Sequence, residues 1–185
     1  MMPWQKRNEG SLSVFSEKRA GEHIKAISAE PHFVGSPGHE LVVGYLEREL
    51  QKLGLETSIQ EGTTFSDWGN VVKSKNIMAR IKGTGNSKAL LLLSHYDSAP
   101  HSASLGAADN ATGVSTILES IRAFLHNKTP HQNDIIILFS DAEELGLNGA
   151  ALFVSESQWA AEIGLVLNFE ARGTAGPSYM LMEVT

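Results

Sequence analysis

The sequence predicts an α/β protein built on a doubly wound sheet, and three observations carry that prediction. Short, continuously apolar runs occupy residues 89–93, 135–139 and 165–167. Turn-forming residues bound each run, and stretches of helical spacing separate them. Runs of this kind suit parallel strands buried on both faces, so the order β-α-β-α-β closes into one sheet with helices on its two sides.

The elements follow in order. Residues 1–15 carry no periodic pattern and read as a loose leader, with no apolar segment of signal-peptide or membrane-spanning length. Residues 16–29 favour helix and stop before Pro31. Ser36-Pro37 opens a second helix, because Ser caps well and Pro is tolerated in the first turn. Val42, Tyr45, Leu46, Leu50 and Leu53 form its apolar stripe, and Gly54 ends it. Residues 57–60 and 71–81 read as strands around the turn-rich stretch 61–70, and Gly83-Thr84-Gly85-Asn86 marks a turn. A helix is expected over 111–127, with Val114, Ile117, Leu118, Ile121 and Leu125 on one face. A weaker helix or helical turn is expected over 148–161, and a last strand over 179–184.

Composition narrows the chemistry. At 185 residues with 42% hydrophobic and 19% charged side chains, the chain has the makings of one core and is not globally disordered. The absence of cysteine excludes a disulfide framework, Cys-ligated zinc and a thiol nucleophile, so any metal must be held by His, Asp and Glu. A net charge of −6 argues against a nucleic-acid partner.

Each apolar run ends in ligand-type residues. The first gives His95-Tyr96-Asp97, the second Asp141-Ala142-Glu143-Glu144, the third Asn168-Phe169-Glu170, and Asp109 stands where the following helix begins. Any one such acid is simply solvated in most proteins. In open α/β sheets, however, ligands bind outside the carboxyl ends of the strands. Convergence of His95, Asp97, Asp109, Glu143, Glu144 and Glu170 would gather anions that repel one another. Divalent cations would relieve the repulsion, and a donor set of imidazole and carboxylate suits zinc.

The ordered pieces His95-Tyr96-Asp97-Ser98, Gly106-Ala107-Ala108-Asp109-Asn110-Ala111-Thr112-Gly113, Asp141-Ala142-Glu143-Glu144-Leu145-Gly146 and Asn168-Phe169-Glu170 resemble the signature of the family 28 co-catalytic zinc aminopeptidases. The resemblance extends to the Ser36-Pro37-Gly38 helix and to Asn76-Ile77-Met78-Ala79, and Glu170-Ala171-Arg172-Gly173 is most similar to the membrane-associated vacuolar and endoplasmic-reticulum branch. It implies a three-layer α/β/α zinc-dependent exopeptidase fold with a mixed, mainly parallel sheet. It implies two zinc ions and a peptide substrate. By the same resemblance His95 and Glu170 bind one zinc, Glu144 the other, and Asp109 bridges both, with a cis peptide bond after it. Asp97 orients the His95 imidazole, as a carboxylate behind a ligand does. Glu143 is implied as general base for a metal-activated water. Arg172 would pair with a substrate carboxylate or anchor a neighbouring acid.

Other residues are expected to be peripheral. Asp141 either orients the loop or is exposed. His101 reads as a surface residue, and His23, His32, His39, His126 and His131 as structural or solvated groups far from the strand ends. Trp4, Trp68 and Trp159 read as packing.

The family pattern needs one more histidine late in the chain, and none follows His131. Residues 16–185 are therefore expected to form an incomplete peptidase catalytic domain, truncated at its C-terminus, weak or inactive alone, and able to associate through uncovered apolar surface. Two other readings stand beside the peptidase. Glutaminyl cyclases share the His-x-Asp and paired-acid pattern with one zinc, although Asp109-Asn110, Glu144-Leu145-Gly146 and Asn168-Phe169-Glu170 favour the peptidase. A non-catalytic binding module on the same scaffold is the other. No targeting segment fixes a compartment, although the resembling branch is often membrane-anchored.

Overall fold

Strand β4 shows how the sheet is made. Ile136 and Leu138 pack into one apolar cluster and Ile137 and Phe139 into another on the opposite face, all at most 1% exposed. Period-two alternation places neighbouring side chains on opposite faces, so a run of uninterrupted aliphatics needs cover on both. A computed structural model of the chain describes residues 11–170 and the strand at 181–183.

The elements are helices α1 Glu17–Ile27, α2 Pro37–Lys52, α3 Thr112–Asn127 and α4 Asn148–Glu156, with strands β1 Thr57–Phe65, β2 Val71–Ile81, β3 Ala89–His95, β4 Ile135–Ser140, β5 Ile163–Glu170 and β6 Leu181–Glu183. They form one mixed sheet in the order β1-β2-β4-β3-β5-β6. The centre β4-β3-β5 is parallel, while β1, β2 and β6 join by antiparallel pairings. Helices α1, α2 and α3 cover one face through Ile27, Val42, Leu46, Val114 and Ile117. Phe153 of α4 packs on the other face with Trp159 and Ile163, giving three layers. That second face keeps an apolar concavity of about 330 Å³ bordered by Leu91, Leu138, Phe153 and Val166.

Two local outcomes differ from expectation. Strand β1 continues through the turn-like residues 61–65, because each pairs antiparallel with residues 71–75. The turn shrinks to Ser66–Asn70, where Gly69 takes a positive φ. Ladder pairing overrides residue preference there. The stretch 148–161 breaks at Ser157, whose extended backbone ends α4 and whose Oγ accepts from Trp159 N–H to start a 3-10 turn. Of the leader expected at 1–15, residues 11–15 lie among the described residues. Arg122 donates to the carbonyls of Leu12 and Val14, Arg19 to those of Ser11 and Val14, and Asn127 to that of Ser13. The arginines are themselves oriented by buried Glu119, which also accepts from Ser16 N–H.

Candidate metal centre

The parallel core delivers its carboxyl ends to one place. His95 is the last residue of β3, Glu170 the last of β5, and Glu143 opens the turn after β4. Asp109 lies in the irregular turn Ala107–Ala111 that enters α3, and its peptide bond to Asn110 is cis. That turn is drawn close to the sheet: a Cβ on Gly113 would stand 2.5 Å from Ser94 Oγ and 2.6 Å from the Phe169 carbonyl. Glycine at 113 lets the start of α3 approach both β3 and β5.

One donor atom each from His95, Asp109 and Glu170 lies within 4.8 Å of the others. His95 Nε2 is 3.1 Å from Asp109 Oδ1 and 3.7 Å from Glu170 Oε1. Its other nitrogen, Nδ1, faces Asp97, 3.3 Å from the carboxylate and 3.2 Å from the carbonyl. A proton placed on Nδ1 leaves the Nε2 lone pair directed at the two carboxylates, which is how a neutral imidazole presents itself to a metal. These three residues fit a zinc ion by donor type and by proximity.

The rest of the site supports the three donors. Asp97, 1% exposed, accepts from Glu143 N–H at 3.0 Å and Glu144 N–H at 3.2 Å, so one carboxylate fixes both the imidazole and the paired-glutamate turn. Glu143 Oε2 stands 3.9 Å from His95 Nε2, outside the three-donor group. Glu144 also lies outside it. Asn110, fully buried, donates to the Phe169 carbonyl at 2.7 Å and to Glu170 Oε2 at 3.3 Å. Its place beside Asp109 in the motif was the sequence signal for it.

Electrostatics record an excess of negative charge. Burial raises the Glu143 carboxyl above its ordinary value, and Glu170, Asp97 and Asp109 push the same way against the pull of His95. Burial also raises Glu144, with Asp109 adding to it. Burial alone would depress His95, but hydrogen bonds to Asp109, Asp97 and Glu170 outweigh it and hold the imidazole well above its usual range. A proton there does part of the neutralisation that a cation would do.

One open alternative closes, and one expectation needs correction. Asp141 is fully buried and orients its loop. Its carboxylate accepts from Ala142 N–H and Lys75 N–H, each at 2.8 Å. His39 is not remote: its Nε2 lies 2.8 Å from Asp141 Oδ1, at the carboxyl end of β4. His32 is likewise buried near the site, its backbone N–H donating to Ser98 Oγ at 2.9 Å. Arg172 lies outside the described residues.

The sequence profile of peptidase family M28 matches residues 76–185, more than half of the chain and all of the elements that bear these three donor groups. The chain belongs to peptidase family M28. A vacuolar membrane protease of Candida albicans is 34% identical over 161 residues, 85% of this chain and 18% of that protein. The chain thus spans about a fifth of the length of the curated relatives it matches. Among solved structures, a leucine aminopeptidase precursor from Bacteroides thetaiotaomicron superposes with a TM-score of 0.73 at 21% identity, covering 87% of this chain and 64% of that one. A glutaminyl cyclase from the same organism gives 0.72, also at 21%, covering 85% and 62%. Family M28 in this chain therefore wears the zinc-exopeptidase fold, which serves more than one reaction. Among the described residues no helix is long and apolar enough to cross a membrane, although the relatives of this M28 chain are named as vacuolar membrane proteases.

Proposed function

We infer that the chain is the metal-site portion of a zinc-dependent exopeptidase, an aminopeptidase that hydrolyses N-terminal peptide bonds. The observation that carries this reading is the three-donor group of His95, Asp109 and Glu170 with Glu143 close to it yet outside it. Bound there, zinc supplies Lewis acidity that polarises a carbonyl and makes water acidic near neutral pH. His95, Asp109 and Glu170 would hold that ion, and Asp109 and Glu144 would serve a second. Asp97 holds the His95 tautomer. Glu143 takes the proton of the attacking water at its carboxylate and passes it to the leaving amine. Arg172 either pairs with a substrate carboxylate or anchors a neighbouring acid.

The second ion needs a histidine that no residue after His131 provides, so residues 1–185 alone hold one zinc tightly and hydrolyse weakly. The near-equal likeness to a glutaminyl cyclase keeps a mono-zinc cyclase as the second reading. Zinc analysis, an aminoacyl hydrolysis assay and a pyroglutamate assay on the chain and on Glu143→Gln decide between them. One zinc per chain with weak, zinc-dependent hydrolysis lost in Glu143→Gln is expected. Equal rates in the two proteins reject Glu143 as base, zinc-dependent pyroglutamate formation favours the cyclase, and vigorous hydrolysis by 1–185 rejects the missing-ligand account.

A further inference from the structure

Behind the metal centre lies a second set of buried polar groups that the proposed reaction does not use. His39 is 2% exposed, and Tyr96 and Asp141 are fully buried. His39 Nε2 lies 2.8 Å from Asp141 Oδ1 and 3.1 Å from Tyr96 Oη, and Tyr96 Oη donates to the Lys75 carbonyl at 2.8 Å. The imidazole and phenol rings also stack at a tilt, 5.3 Å between centroids. One ring nitrogen on α2 thus touches the residues that directly follow β3 and β4. Tyr96 sits between His95 and Asp97 at the end of β3, and Asp141 sits just before the Ala142-Glu143-Glu144 turn after β4.

The Asp141 contacts bear on that turn. Its Oδ1 receives Ala142 N–H, and Ala142 adopts a left-handed backbone at φ 54°. A non-glycine residue held in that region needs surrounding structure to keep it there. The backbone of Asp141 is also pinned, its N–H donating to Asn76 Oδ1 at 3.1 Å and its carbonyl accepting from Gly149 N–H at 2.8 Å. Any side chain on Gly149 would collide with that carbonyl. His39 is anchored in turn: Ser36 Oγ accepts its backbone N–H at 3.2 Å, where α2 begins.

We propose that His39 and Asp141, with Tyr96 between them and the ligand histidine, are positioning residues of the metal centre, fixing the β3 and β4 ends so that His95 and the Glu143-Glu144 turn meet. The proposal rests on the zinc reading of His95, Asp109 and Glu170. Groups that hold a ligand in place govern metal affinity almost as the ligands do, commonly by 10- to 100-fold.

The test is zinc titration of the full chain with the metal alone, paired with thermal melts, for the unsubstituted protein, His95→Ala, His39→Ala, His39→Gln and Tyr96→Phe. His39→Ala is expected to lose about tenfold in zinc affinity. His39→Gln restores most of it, because the glutamine amide can donate to Asp141 from nearly the same position. Tyr96→Phe keeps its volume and loses roughly threefold, a smaller share of the same range. A His39→Ala protein that melts lower but binds zinc as the unsubstituted chain does overturns the proposal, as does a loss that His39→Gln fails to restore. Should His39→Ala not fold, Tyr96→Phe decides: unchanged zinc affinity there overturns the proposal. Equal, negligible zinc binding by the unsubstituted chain and His95→Ala removes the metal reading itself, and the positioning role with it.

Discussion

At the amino end of β4, Asp134 accepts from Gly83 N–H at 2.7 Å, from Arg80 Nε at 2.6 Å and from Lys82 Nζ at 3.3 Å. At the carboxyl end of the same strand, Glu143 and Glu144 meet Asp97, Asp109, Glu170 and one imidazole. Both ends bury carboxylates, but the outcomes are opposite. Burial pushes Asp134 up, yet the Gly83 amide, Arg80 and Lys82 outweigh it and hold its carboxyl below the ordinary value. Glu143 and Glu144 are raised, and the group that pulls against the rise is the His95 imidazole. Arg80 also pairs with Glu162 and lies over the Trp159 ring, so the amino end is a finished structural network. An acid cluster that the fold equips with cations is a brace; one left short of positive charge is suited to an external cation.

The comparison can be broken at either end. The largest effect expected is Glu143→Gln, which should cut the chain's hydrolysis roughly 100- to 10,000-fold in a steady-state assay while zinc affinity stays put. Loss of zinc binding instead would make Glu143 a ligand. Next, His95→Ala should weaken zinc binding by about 100-fold or more in a metal titration, because it removes the imidazole of the donor group. An unchanged titration would place the ion elsewhere.

At the braced end, Asp134→Asn should lower stability by about 2 kcal/mol in thermal or urea unfolding, because it removes the charged acceptor shared by Gly83 N–H, Arg80 and Lys82, although Arg80 keeps Glu162. Zinc affinity should not follow. The same residue sets an acid limb. A carboxyl depressed in the folded state contributes stability above its ordinary value, about 4, and loses it as pH falls through the folded one. The unsubstituted chain should therefore lose stability below about pH 4 more steeply than Asp134→Asn. Parallel curves would remove Asp134 as the source. The smallest effect is Glu144→Gln, which should stabilise the metal-free chain by about 0.5 kcal/mol by relieving repulsion at a partly exposed position. A destabilised Glu144→Gln would mean that this acid already has a partner.

Much of this arrangement was readable in the sequence, for local reasons. The aliphatic runs of β3, β4 and β5, the Ser36-Pro37 start of α2 and the acids at each strand end are properties of consecutive residues. The family resemblance implied that Asp97 orients the His95 imidazole, and the two groups stand 3.3 Å apart. The bonds from Glu143 and Glu144 N–H to Asp97 were invisible, since donor and acceptor are 46 and 47 residues apart. The His39–Asp141 contact spans 102 residues. Residues 61–65 looked like a turn, because nothing within them announces the partner strand at 71–75.

The sequence by itself determined the strands, the ligand-type residues at their ends and the absence of any thiolate donor. Hydrophobic period and residue identity are local, and the carboxyl ends of parallel strands share one edge of the sheet. Tertiary structure alone decided which acids converge. His95, Asp109 and Glu170 come within 4.8 Å of one another while Glu144 stands apart. It also decided that Asp134 is braced by cations and that His39 belongs to the site. Those outcomes depend on distances between segments far apart in the chain, and only packing sets them.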